Sequence, residues 1–221
     1  RESRMLDLPF QSIFEGKEEY RWSVFQDKPA EVMYRLIQGQ IIDGELQGVF
    51  PFIKTLHENS GSAYAKYMND AIFKIPTPQL LQKIVTELDE LYEIVDKQPG
   101  SKTDAQGDLY EYMLSKLSTA GTNGQFRTPR HIIRMMVELL DLQMEDRICD
   151  PACGTSGFLV AAGEYIKETY LGENGGYTHD KKARDHYHNR MFTGYDMDRT
   201  MLRIGAMNMM THGISNPRIS Y

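Results

Sequence analysis

The stretch Arg147-Ile-Cys-Asp-Pro-Ala-Cys-Gly-Thr-Ser-Gly-Phe-Leu-Val160 decides how the rest of this chain is read. Arg147 to Cys149 reads as a short strand, Asp150 to Gly157 as a glycine-bearing loop, and Phe158 to about Tyr170 as a helix. A strand that passes through a tight loop into a helix opens a βα unit. In open parallel sheets, ligands settle at the carboxyl ends of such strands, near the point where strand order reverses. Gly154 suits the loop because, without a Cβ, the backbone can turn sharply and approach a ligand closely. Gly157 lets the helix start tight against the sheet, and Asp150 places an acceptor at the strand end. The dinucleotide fingerprint is absent, since only the last two glycines of G-x-G-x-x-G have counterparts. An acid at the loop's mouth suits a ligand bearing an ammonium group better than a pyrophosphate.

Beyond the loop come an insertion rich in Gly, His and charge, a second strand from Met191 to Tyr195, a helix from Asp198 to about His212, and a third strand near Arg218. Strand, helix, strand, helix, strand in this order predicts an α/β domain with a parallel sheet and helices on its faces. Gly194-Tyr-Asp-Met-Asp198 closes the second strand. Asp196 is its first acid, placed to accept both hydroxyl hydrogens of a ribose. Asp198, at the head of the next helix, is more simply an N-cap. Upstream, Gly124-Gln-Phe-Arg-Thr-Pro-Arg130 leads into a helix with Ile132, Ile133, Met136, Val137 and Leu140 on one face. Thr128 and Pro129 make a helix start whose N–H groups can receive a carboxylate. Phe126 could pack on a ligand, and Gln125 and Arg127 supply hydrogen bonds. Taken alone, that segment is equally well a plain helix cap.

The first hundred residues read as helical. Ala30 to Ile42 carries Val32, Met33, Leu36 and Ile37 at helical spacing behind Pro29. Pro78 to Val95 is clearer: Thr77 caps it, Pro78 fits its first position, and Leu81, Ile84, Val85, Leu88, Leu91, Ile94 and Val95 form one apolar stripe. Such a stripe is core or a docking face. Gln98 to Gly107 reads as a linker, followed by a short helix from Leu109 to about Ala120. The expected division is therefore a helical domain over 1–107 and a second domain over 108–221. The absence of an initial methionine and a last residue inside a strand suggest a fragment of something longer.

With 41% hydrophobic and 25% charged residues, the chain is neither disordered, collagen-like nor a coiled-coil rod. No apolar run approaches the roughly 20 residues that span a bilayer, so no membrane association is expected. Two cysteines and no signal peptide point to a reducing, cytoplasmic location. A net charge of -6 means that any nucleic-acid binding must come from local patches or from a partner. Cys149 and Cys153 are too few for structural zinc, which needs about four ligands, so no metal is expected. His179, His186 and His188, with Lys181, Lys182 and Arg184, read as a solvated loop or as a DNA-backbone contact. Met201, Met207, Met209 and Met210 read as packing residues, and so does Trp22.

Gly124–Arg130, Asp150–Val160 and Gly194–Asp198, in this order, resemble the amino-methyltransferases of DNA, and most closely the modification subunit of type I restriction–modification systems. Phe73-Lys-Ile-Pro76 and Gly107-Asp-Leu-Tyr-Glu-Tyr-Met-Leu114 are similar to that family's helical N-terminal part. The likeness runs from roughly Tyr20 to the end. It implies a Rossmann-like, S-adenosylmethionine (SAM)-dependent methyltransferase domain, present in part, behind a helical N-terminal domain. The implied activity is transfer of methyl from SAM to N6 of adenine at a specific DNA site. By likeness, Gln125, Phe126, Arg127, Thr128, Pro129 and Arg130 would hold the methionine end of SAM, with Thr155, Ser156 and Gly157 around the same part. Asp150 and Gly154 would line the pocket, and Asp196 would hold the ribose.

Ser156 stands where the family usually has a second glycine, and Asp196 where it has Glu. The family's Asn-Pro-Pro-aromatic motif, whose asparagine accepts from adenine's amine and whose ring stacks on the flipped-out base, does not occur here. The chain is thus expected to hold the cofactor half, no catalytic residue, and no methylating activity by itself. The implied partners are DNA and the specificity and restriction subunits, with two copies of this subunit per complex. Its N-terminal helices would dock to the specificity subunit or clamp DNA. Two alternatives stay open: SAM-dependent methylation of another amine, on protein or RNA, and an assembly module without cofactor.

Overall fold

In the computed structural model, residues 12–56, 63–96, 110, 113, 128–171 and 180–221 are described. Pro29, in extended backbone, turns the chain into α2 (Ala30–Gln38), which follows the short α1 (Trp22–Phe25). The helix predicted as far as Ile42 stops earlier. Gly39 adopts φ +99, a left-handed conformation open to glycine, and a Cβ there would stand 2.9 Å from the Pro51 ring. Residues 40–42 instead form β1 (Gln40–Ile42), antiparallel to β2 (Glu45–Gln47), with Ile41 opposite Leu46. Asp43 and Gly44 both have positive φ, as a two-residue hairpin turn of the primed type requires. Then come α3 (Val49–Thr55), α4 (Ala63–Met68) and α5 (Pro78–Asp96). The Thr77 hydroxyl accepts the Leu80 N–H at 3.3 Å, the predicted cap. Leu81 and Val85 are buried with Tyr20, Phe25, Met33 and Val49, so this part of the α5 stripe is core.

The second half holds α6 (Arg130–Leu140), β3 (Ile148–Asp150), α7 (Gly157–Leu171), α8 (Lys181–Asn189), β4 (Phe192–Tyr195), α9 (Arg199–Thr211) and β5 (Arg218–Ser220). The three strands form a parallel sheet, as the element order predicted, and they lie in the order β3-β4-β5. Ile148 lies opposite Phe192 and Asp150 opposite Gly194, which puts the first strand one residue later than expected. Leu159, Ile166, Tyr187, Phe192, Leu202, Met209 and Ile214 fill the core against the sheet. Each such side chain withdrawn from water contributes about 1.5–3 kcal/mol.

The region expected as a solvated insertion is helical in its second part. Asp180 caps α8 by accepting the Lys182 and Ala183 N–H groups, and Tyr187 is fully buried with its ring edge-on to Phe192, 5.3 Å between centroids. His186 Nε2 lies 2.8 Å from the Asp146 carbonyl, so this half-buried histidine is tied into the fold. His179 lies outside the described residues, as do the expected linker and most of the helix behind it.

The packing also runs across the expected division. Ala63 and Tyr67 of α4 belong to the sheet's core, and the Tyr67 hydroxyl donates to the Ile219 carbonyl of β5 at 3.3 Å. Met207 and Met210 of α9 pack on Tyr64 and Met68, while Met201 and Met209 are buried, so all four methionines pack as the sequence suggested. On α6 only half of the predicted stripe is covered. Ile133 and Val137 are buried, but Met136 and Leu140 are 43% and 66% exposed.

Candidate cofactor site

The register sets the site. Because Asp150 and Gly194 are paired on adjacent parallel strands, the loop after β3 and the loop after β4 leave the sheet side by side. Four hydrogen bonds shape and join them. Asp150 Oδ1 accepts the Ala152 N–H at 3.0 Å and sets the turn; the Cys153 N–H donates to the Tyr195 carbonyl at 2.8 Å. The Gly154 N–H donates to Asp196 Oδ2 at 3.0 Å, and the Asp198 N–H to Asp196 Oδ1 at 2.7 Å. Asp198 then caps α9 by accepting the Thr200 N–H at 2.7 Å, the role its position predicted.

Gly154 has φ +50, and a Cβ built on it would meet no atom within 4 Å. The glycine is needed for its backbone conformation, and it faces open space rather than the protein's own loop. Ser156 has φ +63 and is fully buried, its N–H donating to the Cys153 carbonyl at 2.6 Å. A left-handed serine is uncommon and costs about 1–2 kcal/mol against a right-handed one, so the loop spends packing energy to hold this shape. Burial pushes the Cys153 thiol up from 9.0 to about 11, helped by the Asp150 and Asp196 carboxylates and opposed by the Ser156 hydroxyl. Cys153 is therefore a neutral packing residue, not a nucleophile.

Asp196, predicted to take ribose hydroxyls, already accepts two backbone N–H groups. Each carboxylate oxygen keeps a second lone-pair direction, so tying the loops and accepting from a ligand are compatible. The Thr128-Pro129 start departs from expectation by one residue. Pro129 is the residue before the first helical position, with extended backbone (φ -57, ψ 139), and its side chain makes no cap hydrogen bond. The Arg130 guanidinium reaches Glu164 of α7 at 3.3 Å rather than the loop after β3. Gln125, Phe126 and Arg127 lie outside the described residues.

Three residues of the region escaped the sequence reading. Asn208 of α9 is fully buried and donates from Nδ2 to the Thr155 carbonyl at 2.9 Å. Gly205, one turn earlier, lies against Ser156. Met197, beside Asp196, is 82% exposed and presents apolar surface at the strand end. Only Met197 had a visible signal, an apolar residue between two acids. Elsewhere, a cavity of about 500 Å³ is walled by Trp22, Asp89, Tyr92 and Tyr110, and one of about 480 Å³ by Leu46, Phe50 and Phe73. Among the described residues, no predicted cofactor residue lines either cavity.

The chain shares its fold with solved structures. The chain matches a modification subunit of a putative type I restriction enzyme from Vibrio vulnificus YJ016 with a TM-score of 0.71 at 23% identity, covering 99% of this chain and 45% of that one. More particularly, the N-6 DNA methylase family model matches residues 101–221, and the chain belongs to that family. It is 30% identical over 175 residues to the Escherichia coli type I restriction enzyme EcoEI methylase subunit, covering 76% of this chain and 33% of that protein. The StySPI methylase subunit of Salmonella potsdam is 32% identical over 142 residues, 63% of this chain and 26% of that protein. The chain spans about a third of the length of the curated relatives it matches. Among the described residues, no helix is long and apolar enough to cross a membrane.

Proposed function

We propose that this chain is the SAM-binding part of an N6-adenine DNA methyltransferase subunit of a type I restriction–modification system. The observation that carries the reading is the junction of the two strand-end loops, where Asp196 after β4 holds the Gly154 N–H of the loop after β3. The residues present suit SAM. Gly154 leaves open space where any other residue would project a Cβ. Asp196 offers lone pairs to ribose hydroxyls, Met197 offers an apolar face to a purine, and the start of α6 offers N–H groups to a carboxylate. When bound, SAM supplies a methyl group on a positively charged sulfur, which agrees with a strand end bearing Asp150 and Asp196. Gln125 to Arg130, Thr155, Ser156 and Gly157 complete the proposed set at the methionine end. The sequential strand order fits one half of a Rossmann-like sheet, preceded by a helical N-terminal domain.

DNA and the specificity and restriction subunits are the proposed partners, with two copies of this subunit per complex, in the cytoplasm. The net charge of -6 suits an arrangement in which another subunit reads the DNA sequence. Calorimetric titration with S-adenosylhomocysteine, with NAD as control, tests the cofactor. Selective binding of the former is expected, and Asp196→Ala should weaken it at least tenfold, or about 1.4 kcal/mol, while circular dichroism stays unchanged. Equal affinity in the variant would remove Asp196 from the site. The chain alone is expected to transfer no labelled methyl to DNA, because it contains no Asn-Pro-Pro sequence.

A further inference from the structure

The loop after β3 contains two residues in left-handed backbone, Gly154 at φ +50 and Ser156 at φ +63, on either side of Thr155. A backbone with two such residues so close persists only where its surroundings hold it. One hold comes from the β4 side, through Asp196 and the Gly154 N–H. The other comes from α9. Asn208, fully buried, donates from Nδ2 to the Thr155 carbonyl at 2.9 Å. Gly205 lies three residues earlier, on the same face of the helix. A Cβ on Gly205 would stand 2.5 Å from Ser156 Oγ and 3.1 Å from the Gly154 carbonyl oxygen, so the helix touches the loop at a distance that requires glycine. Asn208 is itself braced, because its backbone carbonyl lies 2.8 Å from Nδ1 of the buried His212. His212 Nε2 lies 3.9 Å from Glu164, which also pairs with Arg130 at the head of α6.

We propose that Asn208 and Gly205 are positioning residues for the cofactor loop: Asn208 fixes the Thr155 carbonyl and Gly205 admits the Ser156 side chain, and together they keep the Gly154–Ser156 backbone in its ligand-accepting shape. This rests on the SAM reading above for the identity of the ligand. Neither residue touches the ligand; both act through the loop. Asparagine is specified because an amide N–H₂ donates where a carboxylate of the same shape would face the carbonyl with a second acceptor.

The test uses this chain, with two readouts: amide hydrogen exchange without ligand, and calorimetric affinity for S-adenosylhomocysteine. In Asn208→Asp, the Gly154 and Ser156 amides should exchange at least tenfold faster while amides along α9 keep their protection, and affinity should fall at least tenfold. Gly205→Ala should have the same two effects through its Cβ. Adding Ser156→Gly should restore most of the loop's exchange protection, since it removes the hydroxyl at 2.5 Å. A general packing defect would instead raise exchange along α9 and the loop together, and Ser156→Gly would not repair it. Unchanged loop exchange in Asn208→Asp, or no rescue of Gly205→Ala, overturns the proposal. Should Asn208→Asp fail to fold, the Gly205→Ala pair with and without Ser156→Gly decides. Should the unaltered chain bind no S-adenosylhomocysteine, the SAM reading falls, while the exchange experiment still judges the hold on the loop.

Discussion

Gly194, in the middle strand, shows how tightly single residues govern the strand ends. A Cβ there would stand 2.9 Å from Cys153 Sγ, 2.9 Å from Ile219 Cδ1 and 3.0 Å from Cys153 Cβ. Gly194→Ala is expected to destabilise by about 1–3 kcal/mol through overpacking, read as a lowered urea midpoint with an unchanged slope. Cys153, on the other side of that contact, gives a pH signature. Its thiol pKa is raised in the folded state, from 9.0 to about 11. The folded chain therefore keeps the proton longer than the unfolded one: the stabilisation is complete below pH 9 and is lost as pH rises toward 11. Melting temperatures across that window should fall more steeply for the unaltered chain than for Cys153→Ala. A thiol reagent at neutral pH should label exposed Cys149 quickly and Cys153 slowly. Gly154 and Asp198 were legible in the sequence because a left-handed turn and a helix cap each demand a residue type. Asn208 was not, because helical spacing within Met-Asn-Met-Met says which way a side chain points but not which carbonyl it will meet.

Among the elements, α9 is the one on which both halves of the chain converge. Arg203 donates from Nε to the Tyr67 carbonyl at 2.7 Å and from Nη2 to Asp70 at 2.8 Å, tying α9 to the end of α4. The Arg203 hydrogen bond holds the Asp70 carboxyl below the usual carboxylate range, aided by the charges of Arg203 and Arg199 and opposed by burial. A lowered folded pKa means that this stabilisation is present above the ordinary aspartate value and lost as pH falls through the lowered one. Asp70→Asn should therefore be less stable than the unaltered chain at neutral pH, by a small, salt-sensitive margin that disappears on acidification. Denaturant midpoints measured at several pH values in low and high salt would check this, and a margin that persists in acid would contradict it. The parallel sheet was readable because strands and helices alternate in the sequence. The β1–β2 hairpin was not read, although Asp43-Gly44 is the turn pair such hairpins use, because strands of three exposed residues show no buried alternation. Thr128-Pro129 marked the start of α6 to within one residue, because a proline before the first helical position is a local signal, and the structure places Pro129 there.

At the scale of the whole molecule, the sequence suggested two consecutive units divided after Gly107, since Gln98 to Gly107 carries the Pro, Gly and Ser of a linker. Packing crosses that division. Tyr67 of α4 is 5% exposed and shares the core of the sheet, and Tyr64 and Met68, at 4% and 5%, cover Met207 and Met210 of α9. A six-residue helix has little stability of its own, so α4 is held by this burial rather than by propensity. Conversely, α9 without α4 would expose apolar surface. Burial of three such side chains is worth roughly 1.5–3 kcal/mol each, a large share of the roughly 5–15 kcal/mol that holds a typical domain folded. A fragment spanning 108–221 is therefore expected to lack a sharp thermal transition and to bind a hydrophobic dye, although it contains all three strands of the parallel sheet. The whole chain should melt cooperatively. Tyr67→Ala in the whole chain should reproduce part of the loss, about 3–5 kcal/mol by analogy with other large aromatic truncations in cores. A fragment that melts sharply, with the near-ultraviolet dichroism of a packed core, would instead show that the sheet completes itself without α4.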